Sequence, residues 1–141
     1  MRRVAAGALL LWLGALSLCD IRHRRLPNAL TLPGAGVILA AAAATGHGLP
    51  ALAGAAALGA LYLSVHLAAP SAMGAGDVKL AIGLGGLTGC FGVDAWFLAA
   101  LAAPLVTALC GLAGRARGAR SVPHGPSMCL AAGLVLLANL R

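Results

Sequence analysis

The chain has 141 residues, of which 61% are hydrophobic and only 9% charged, and its mean hydropathy is +0.96. A water-soluble domain carries roughly 25% charged residues, so this sequence cannot build a water-facing surface and its solvent has to be mostly lipid. The net charge of +7 does not point to nucleic acid, because the basic residues sit in short clusters between apolar runs and aromatic side chains for base stacking are nearly absent.

The first apolar run is Val4 to Cys19, preceded by Arg2 and Arg3. A secretory signal peptide and a lipoprotein cleavage box are both poor readings of it. Leu18 stands before Cys19 where a small residue is needed, and further apolar runs follow. It reads as a first membrane helix, slightly short, with arginines able to snorkel. The polar loop Asp20-Ile-Arg-His-Arg-Arg-Leu-Pro-Asn28 comes next. A second run, Ala29 to Thr45, reaches the turn Gly46 to Pro50. A third, Ala51 to Ala69, stops at Pro70. The polar segment Pro70 to Lys79 follows, and then a short, glycine-rich fourth run from Leu80 to about Phe91. That run spans a bilayer only if Asp77 and Lys79 already lie on the helix, since a span needs about 20 residues. The fifth run is about Ala95 to Gly114. A basic loop with Arg115, Arg117 and Arg120 leads through Val122-Pro-His-Gly-Pro126 to the last run, Ser127 to Leu140.

The expected fold is therefore an all-α membrane bundle of about six spans, with residues 1–141 forming one domain. Loops one, three and five hold Arg22, Arg24, Arg25, Lys79, Arg115, Arg117 and Arg120, seven of the ten basic residues. The other side keeps Arg2, Arg3 and Arg141. By the positive-inside rule the three loops are cytoplasmic and both termini lie outside. Arg22, Arg24 and Arg25 suit anionic lipid headgroups. The 20 glycines and the alanine stretches suit close helix packing in lipid. Cys19, Cys90, Cys110 and Cys129 form no Cys-x-x-Cys pair and read as small hydrophobes. Neither a zinc site nor a disulfide framework follows, and no metal or other cofactor is expected.

Only three acidic residues exist, Asp20, Asp77 and Asp94. Asp94 falls in the turn Phe91 to Ala95, where a solvated turn or cap role accounts for it. Asp20 and Asp77 each stand where an apolar run meets a polar loop, both on the side assigned to the cytoplasm. An ionisable group at that depth is a functional candidate. Two carboxyl groups brought together in a low-dielectric site ionise one at a time and share a proton. The ionised member can then take a proton from water while the protonated one polarises a peptide carbonyl. The glycines in Gly74-Ala-Gly-Asp-Val-Lys79 are expected to allow unusual backbone angles and close approach of a substrate. Lys79, two positions from Asp77, falls on a different helix face and reads as an interface anchor rather than a base.

Gly74-Ala-Gly-Asp-Val-Lys-Leu80 resembles the Gly-x-Gly-Asp motif of the type 4 prepilin peptidases, which presenilin-type proteases share. Asp20-Ile-Arg-His-Arg-Arg-Leu-Pro-Asn28 resembles that family's first catalytic segment, and Val122-Pro-His-Gly-Pro126 its late Ile-Pro-Phe-Gly-Pro segment. The three motifs stand in the family's order and cover nearly the whole chain. The resemblance implies an aspartic endopeptidase of the bacterial inner membrane. It would cut the leader from type IV pilin-like precursors, after a glycine, at the cytoplasmic face. Asp20 and Asp77 match its catalytic aspartates, and Gly74 and Gly76 its motif glycines. Pro27, Asn28, Pro123, Gly125 and Pro126 match positions expected to be structural. His124 stands where the family usually has an aromatic, and is expected to serve interfacial packing. The cysteine-bearing domain of larger members is not seen, so peptidase activity without N-methylation is expected, as in the compact forms serving Flp-type pili. The expected partners are a prepilin or pseudopilin and the lipid bilayer. Two other readings stay open from the residues alone. One is a proton-coupled transporter, although its carboxylates would be spread across the bilayer rather than gathered at one face. The other is a non-catalytic pilus-assembly subunit.

Overall fold

The computed structural model describes residues 2–118 and 121–140. Arg120 and Arg141, used above for orientation, lie outside the described residues, as does the side chain of Arg2. The described residues form six helices in order: α1 (Arg2–His23), α2 (Asn28–Ala44), α3 (Gly48–Ala68), α4 (Ala75–Gly89), α5 (Val93–Arg115) and α6 (Gly125–Ala138). Among the described residues there is no strand, and the protein is an all-α membrane protein. Among the described residues, three helices are long and apolar enough to cross a bilayer: α1 from Arg3, α3 and α5. The other three are shorter than the span anticipated above, with 17 residues in α2, 15 in α4 and 14 in α6.

The helix ends differ from the apolar runs in a consistent way. α1 continues past Cys19 to His23 and so carries Asp20 on the helix rather than in the loop. α4 begins at Ala75, five residues before Leu80, and carries both Asp77 and Lys79. α5 begins at Val93, which puts the exposed Asp94 in its first turn. Hydropathy reports contact with lipid, whereas a helix continues as long as its backbone hydrogen bonds do.

α4 lies at the centre, packed on α2, α3, α5 and α6, while α1 packs on α6 and α2. Glycine makes this arrangement possible. A Cβ on Gly89 would stand 2.6 Å from the Pro50 carbonyl oxygen, and one on Gly85 would run into Gly54 on α3. The two backbones are therefore in contact, as small-residue faces in lipid allow. Trp96 Nε1 closes the same seam by donating to the Gly54 carbonyl at 3.1 Å. Across the bundle, Trp12 Nε1 donates to the Leu30 carbonyl at 3.0 Å and ties α1 to α2. The interior is Leu13, Leu16, Leu58, Leu80, Leu84 and Met128 with small neighbours. The outside carries Val4, Leu11, Leu67, Leu98, Leu109 and Leu134. In water such a surface would be an aggregation liability; against acyl chains it is the expected one.

Candidate active site

The segments after α1, before α4 and before α6 converge at one end of the bundle. α1 stops because Arg24 takes a left-handed backbone (φ 49°), and the Arg24 N–H closes the helix on the Asp20 carbonyl at 2.9 Å. Asp20 thus sits in the last turn, with only 7% of its surface exposed. Its Oδ2 accepts a hydrogen bond from the Gly125 N–H at 3.0 Å. Gly125 opens α6, and a Cβ there would stand 2.5 Å from that same oxygen. Glycine is thus required by close approach. Pro126 follows in the first turn of α6, where a missing N–H costs nothing. The Val122–Pro126 segment, expected to be structural, holds one of the two carboxylates directly.

Asp77 lies in the first turn of α4, a favourable place for an acid. Its Oδ2 accepts from the Gly74 N–H at 3.3 Å, and its own N–H donates to the Gly74 carbonyl at 3.1 Å. Gly74 has an ordinary extended backbone (φ −75°, ψ 151°). The glycines with positive φ are Gly46, Gly92 and Gly118, so the unusual angles expected of the motif are not there. Gly76 instead admits a neighbour from its own chain: a Cβ there would stand 3.2 Å from the Leu26 Cβ. Gly76 therefore lets α4 pack on the loop after α1.

Asp20 and Asp77, 57 positions apart in the chain, line one cleft of about 320 Å³ together with Arg24, Asn28, Gly74 and Lys79. The carboxyl groups are near enough for charge on Asp20 to be felt at Asp77. Lys79 Nζ donates to Asn28 Oδ1 at 2.9 Å. Asn28 opens α2 behind Pro27, whose carbonyl accepts the Leu30 and Thr31 N–H groups at 3.0 and 3.1 Å. The Lys79–Asn28 bond therefore ties the two aspartate segments together, making Lys79 a tether. The Arg24 guanidinium bonds the Ser121 hydroxyl and donates to the Ser121 carbonyl at 3.2 Å, which joins the first loop to the fifth. Arg22 and Arg25 are exposed beside it.

His124 does more than pack. It is half-buried, with Nε2 2.9 Å from the Tyr62 hydroxyl and Nδ1 2.6 Å from Thr107 Oγ1. Burial holds the imidazole below its ordinary pKa, against the opposing pull of the Asp20 charge. Neither Tyr62 nor Thr107 stood out in the sequence, since both lie inside apolar runs. The one available hint was that Tyr62 is the only tyrosine in the chain. Among the described residues, no three His, Cys, Asp or Glu side chains gather to hold a metal ion.

The pattern that defines the type IV leader peptidase family matches residues 7–112. The matched stretch contains the Asp20–Asn28 and Gly74–Lys79 segments and ends before Val122–Pro126. The chain matches no curated protein and no solved structure. With three-quarters of its length matched, both aspartate segments included, the chain belongs to the type IV leader peptidase family and is a peptidase.

Proposed function

We propose that this peptidase is an intramembrane aspartyl endopeptidase that removes the leader from type IV pilin-like precursors, with Asp20 and Asp77 as its catalytic pair. The observation that carries the reading is that carboxyl groups from α1 and α4 line a single cleft, near enough for charge on Asp20 to be felt at Asp77. In a partly dehydrated cleft one carboxyl stays ionised and the other protonated. The ionised one takes a proton from water as the water oxygen attacks the scissile carbonyl carbon. The protonated one gives its proton to the carbonyl oxygen. Collapse of the tetrahedral intermediate returns a proton to the leaving nitrogen and breaks the C–N bond. Arg24 and Lys79 at the rim shape the cleft rather than take part in these transfers.

The protein is read as a six-span protein of the bacterial inner membrane with this cleft on the cytoplasmic side. The support is the bias of basic residues toward the three loops that meet there. The test is leader cleavage of a co-expressed prepilin by Asp20→Asn and Asp77→Asn. Each is expected to lose at least about 10³-fold in rate, since both proton transfers need both carboxyls, while still accumulating in the membrane. Wild-type cleavage by either variant would remove the assignment.

A further inference from the structure

The hydrogen-bond chain around His124 has a definite direction. The single hydroxyl hydrogen of Thr107, on α5, is engaged by the Ala103 carbonyl at 3.0 Å. The Thr107 oxygen therefore meets His124 Nδ1 as an acceptor, which assigns the ring proton to Nδ1. Nε2 is left as a lone pair, and the Tyr62 hydroxyl donates to it. The chain runs from Tyr62 to His124 to Thr107 to the Ala103 carbonyl, one donor to each acceptor. A neutral ring satisfies every member, whereas an imidazolium would turn a second donor onto the tyrosine hydroxyl. The Tyr62 and His124 rings lie 5.7 Å apart at 31°, so ring contact supports the same pose.

The middle of this chain reaches an aspartate. The N–H that holds Asp20 belongs to the His124–Gly125 peptide. We infer that His124 is a positioning residue for Asp20: its ring, held between the Tyr62 and Thr107 hydroxyls, fixes the peptide that carries the Gly125 N–H onto the Asp20 carboxyl group. One imidazole, clamped between α3 and α5, thus sets the placement of a group borne on α1. This inference rests on the reading of Asp20 and Asp77 as the catalytic pair.

The test uses the purified full chain in lipid nanodiscs, with a prepilin at varied concentration. His124→Phe keeps the ring volume and removes both hydrogen bonds, and Tyr62→Phe removes only the hydroxyl. Each is expected to lower kcat about tenfold, the size of one lost hydrogen bond in a reacting geometry, with KM within about twofold of wild type. The double variant is expected to be no slower than His124→Phe, because the two side chains act as one unit. His124→Gln, whose carboxamide offers one donor and one acceptor, is expected to stay within about threefold of wild type. Wild-type kcat for His124→Phe, multiplying effects in the double variant, or a glutamine variant as slow as the phenylalanine one would each overturn the inference. Asp20→Asn and Asp77→Asn measured alongside separate the two claims: inert aspartate variants with an unaffected His124→Phe sink the positioning role alone. A second readout needs no cleavage. In protein labelled with ¹⁵N-histidine, the His124 ring, assigned by its loss in His124→Gln, is expected to carry its proton on Nδ1 and to lose that preference in Thr107→Val. A ring protonated on Nε2 in the wild type would overturn the assignment.

Discussion

Asp20 and Asp77 face one cleft but are held in opposite ways. Asp77 is held locally: its partner, Gly74, is three residues back on the same helix start, and any sequence with an acid in that turn can make the bond. Asp20 is held from 105 residues away, and its place depends on α6 docking against α1. The local bond forms with its helix. The remote one forms only when the bundle closes, so the geometry at Asp20 reports on the whole fold and the geometry at Asp77 on one turn.

Substitutions at the two supporting glycines sharpen this contrast. Gly125→Ala keeps the N–H but drives a methyl against the Asp20 carboxylate. A displaced reacting group can cost about 10²-fold, and that loss is expected in prepilin cleavage with the protein still membrane-inserted. Gly74→Pro keeps a backbone that already has φ −75°, removes the donor to Asp77 and adds a Cβ in ordinary contact with it. About a tenfold loss is expected, which steady-state rates would show. Gly74→Ala adds a methyl in ordinary contact, 3.6 Å from Asp77 Oδ2, and is expected to cost less than about threefold in the same assay. If the two alanine variants were equally damaging, the distinction between remote and local support would fail. Asp94→Asn marks the floor: an exposed first-turn acid on α5 is worth about 0.3–1 kcal/mol to its helix, visible as a small fall in melting temperature with cleavage unaltered.

The aspartates were legible because an acid is rare in so apolar a chain, and rarity at a run boundary is itself a signal. The convergence of loops one, three and five also followed from the alternation of runs and charges. The helix limits did not, because Asp20 and Arg22 suit an α-helix even though they interrupt the apolar run. The motif glycines misled for a related reason. Glycine signals freedom in φ and room for a neighbour equally, and at Gly76 and Gly125 only the second is used. Tyr62 and Thr107 were hidden. Each is a single polar atom in an apolar stretch, and its meaning depends on which helices become neighbours.

The brevity of α6 reaches beyond the protein itself. At about 1.5 Å per residue its 14 residues rise about 21 Å, well short of a hydrocarbon layer about 30 Å thick, and Leu130, Leu134 and Leu137 on it are uncovered. With α6 as one of the proposed spans, acyl chains beside it would have to compress to meet it, and headgroups and water would follow them down toward Asp20 and Asp77. On the proposed reading of Asp20 and Asp77, access of hydrolytic water to the pair would in this way depend on membrane thickness as well as on the fold.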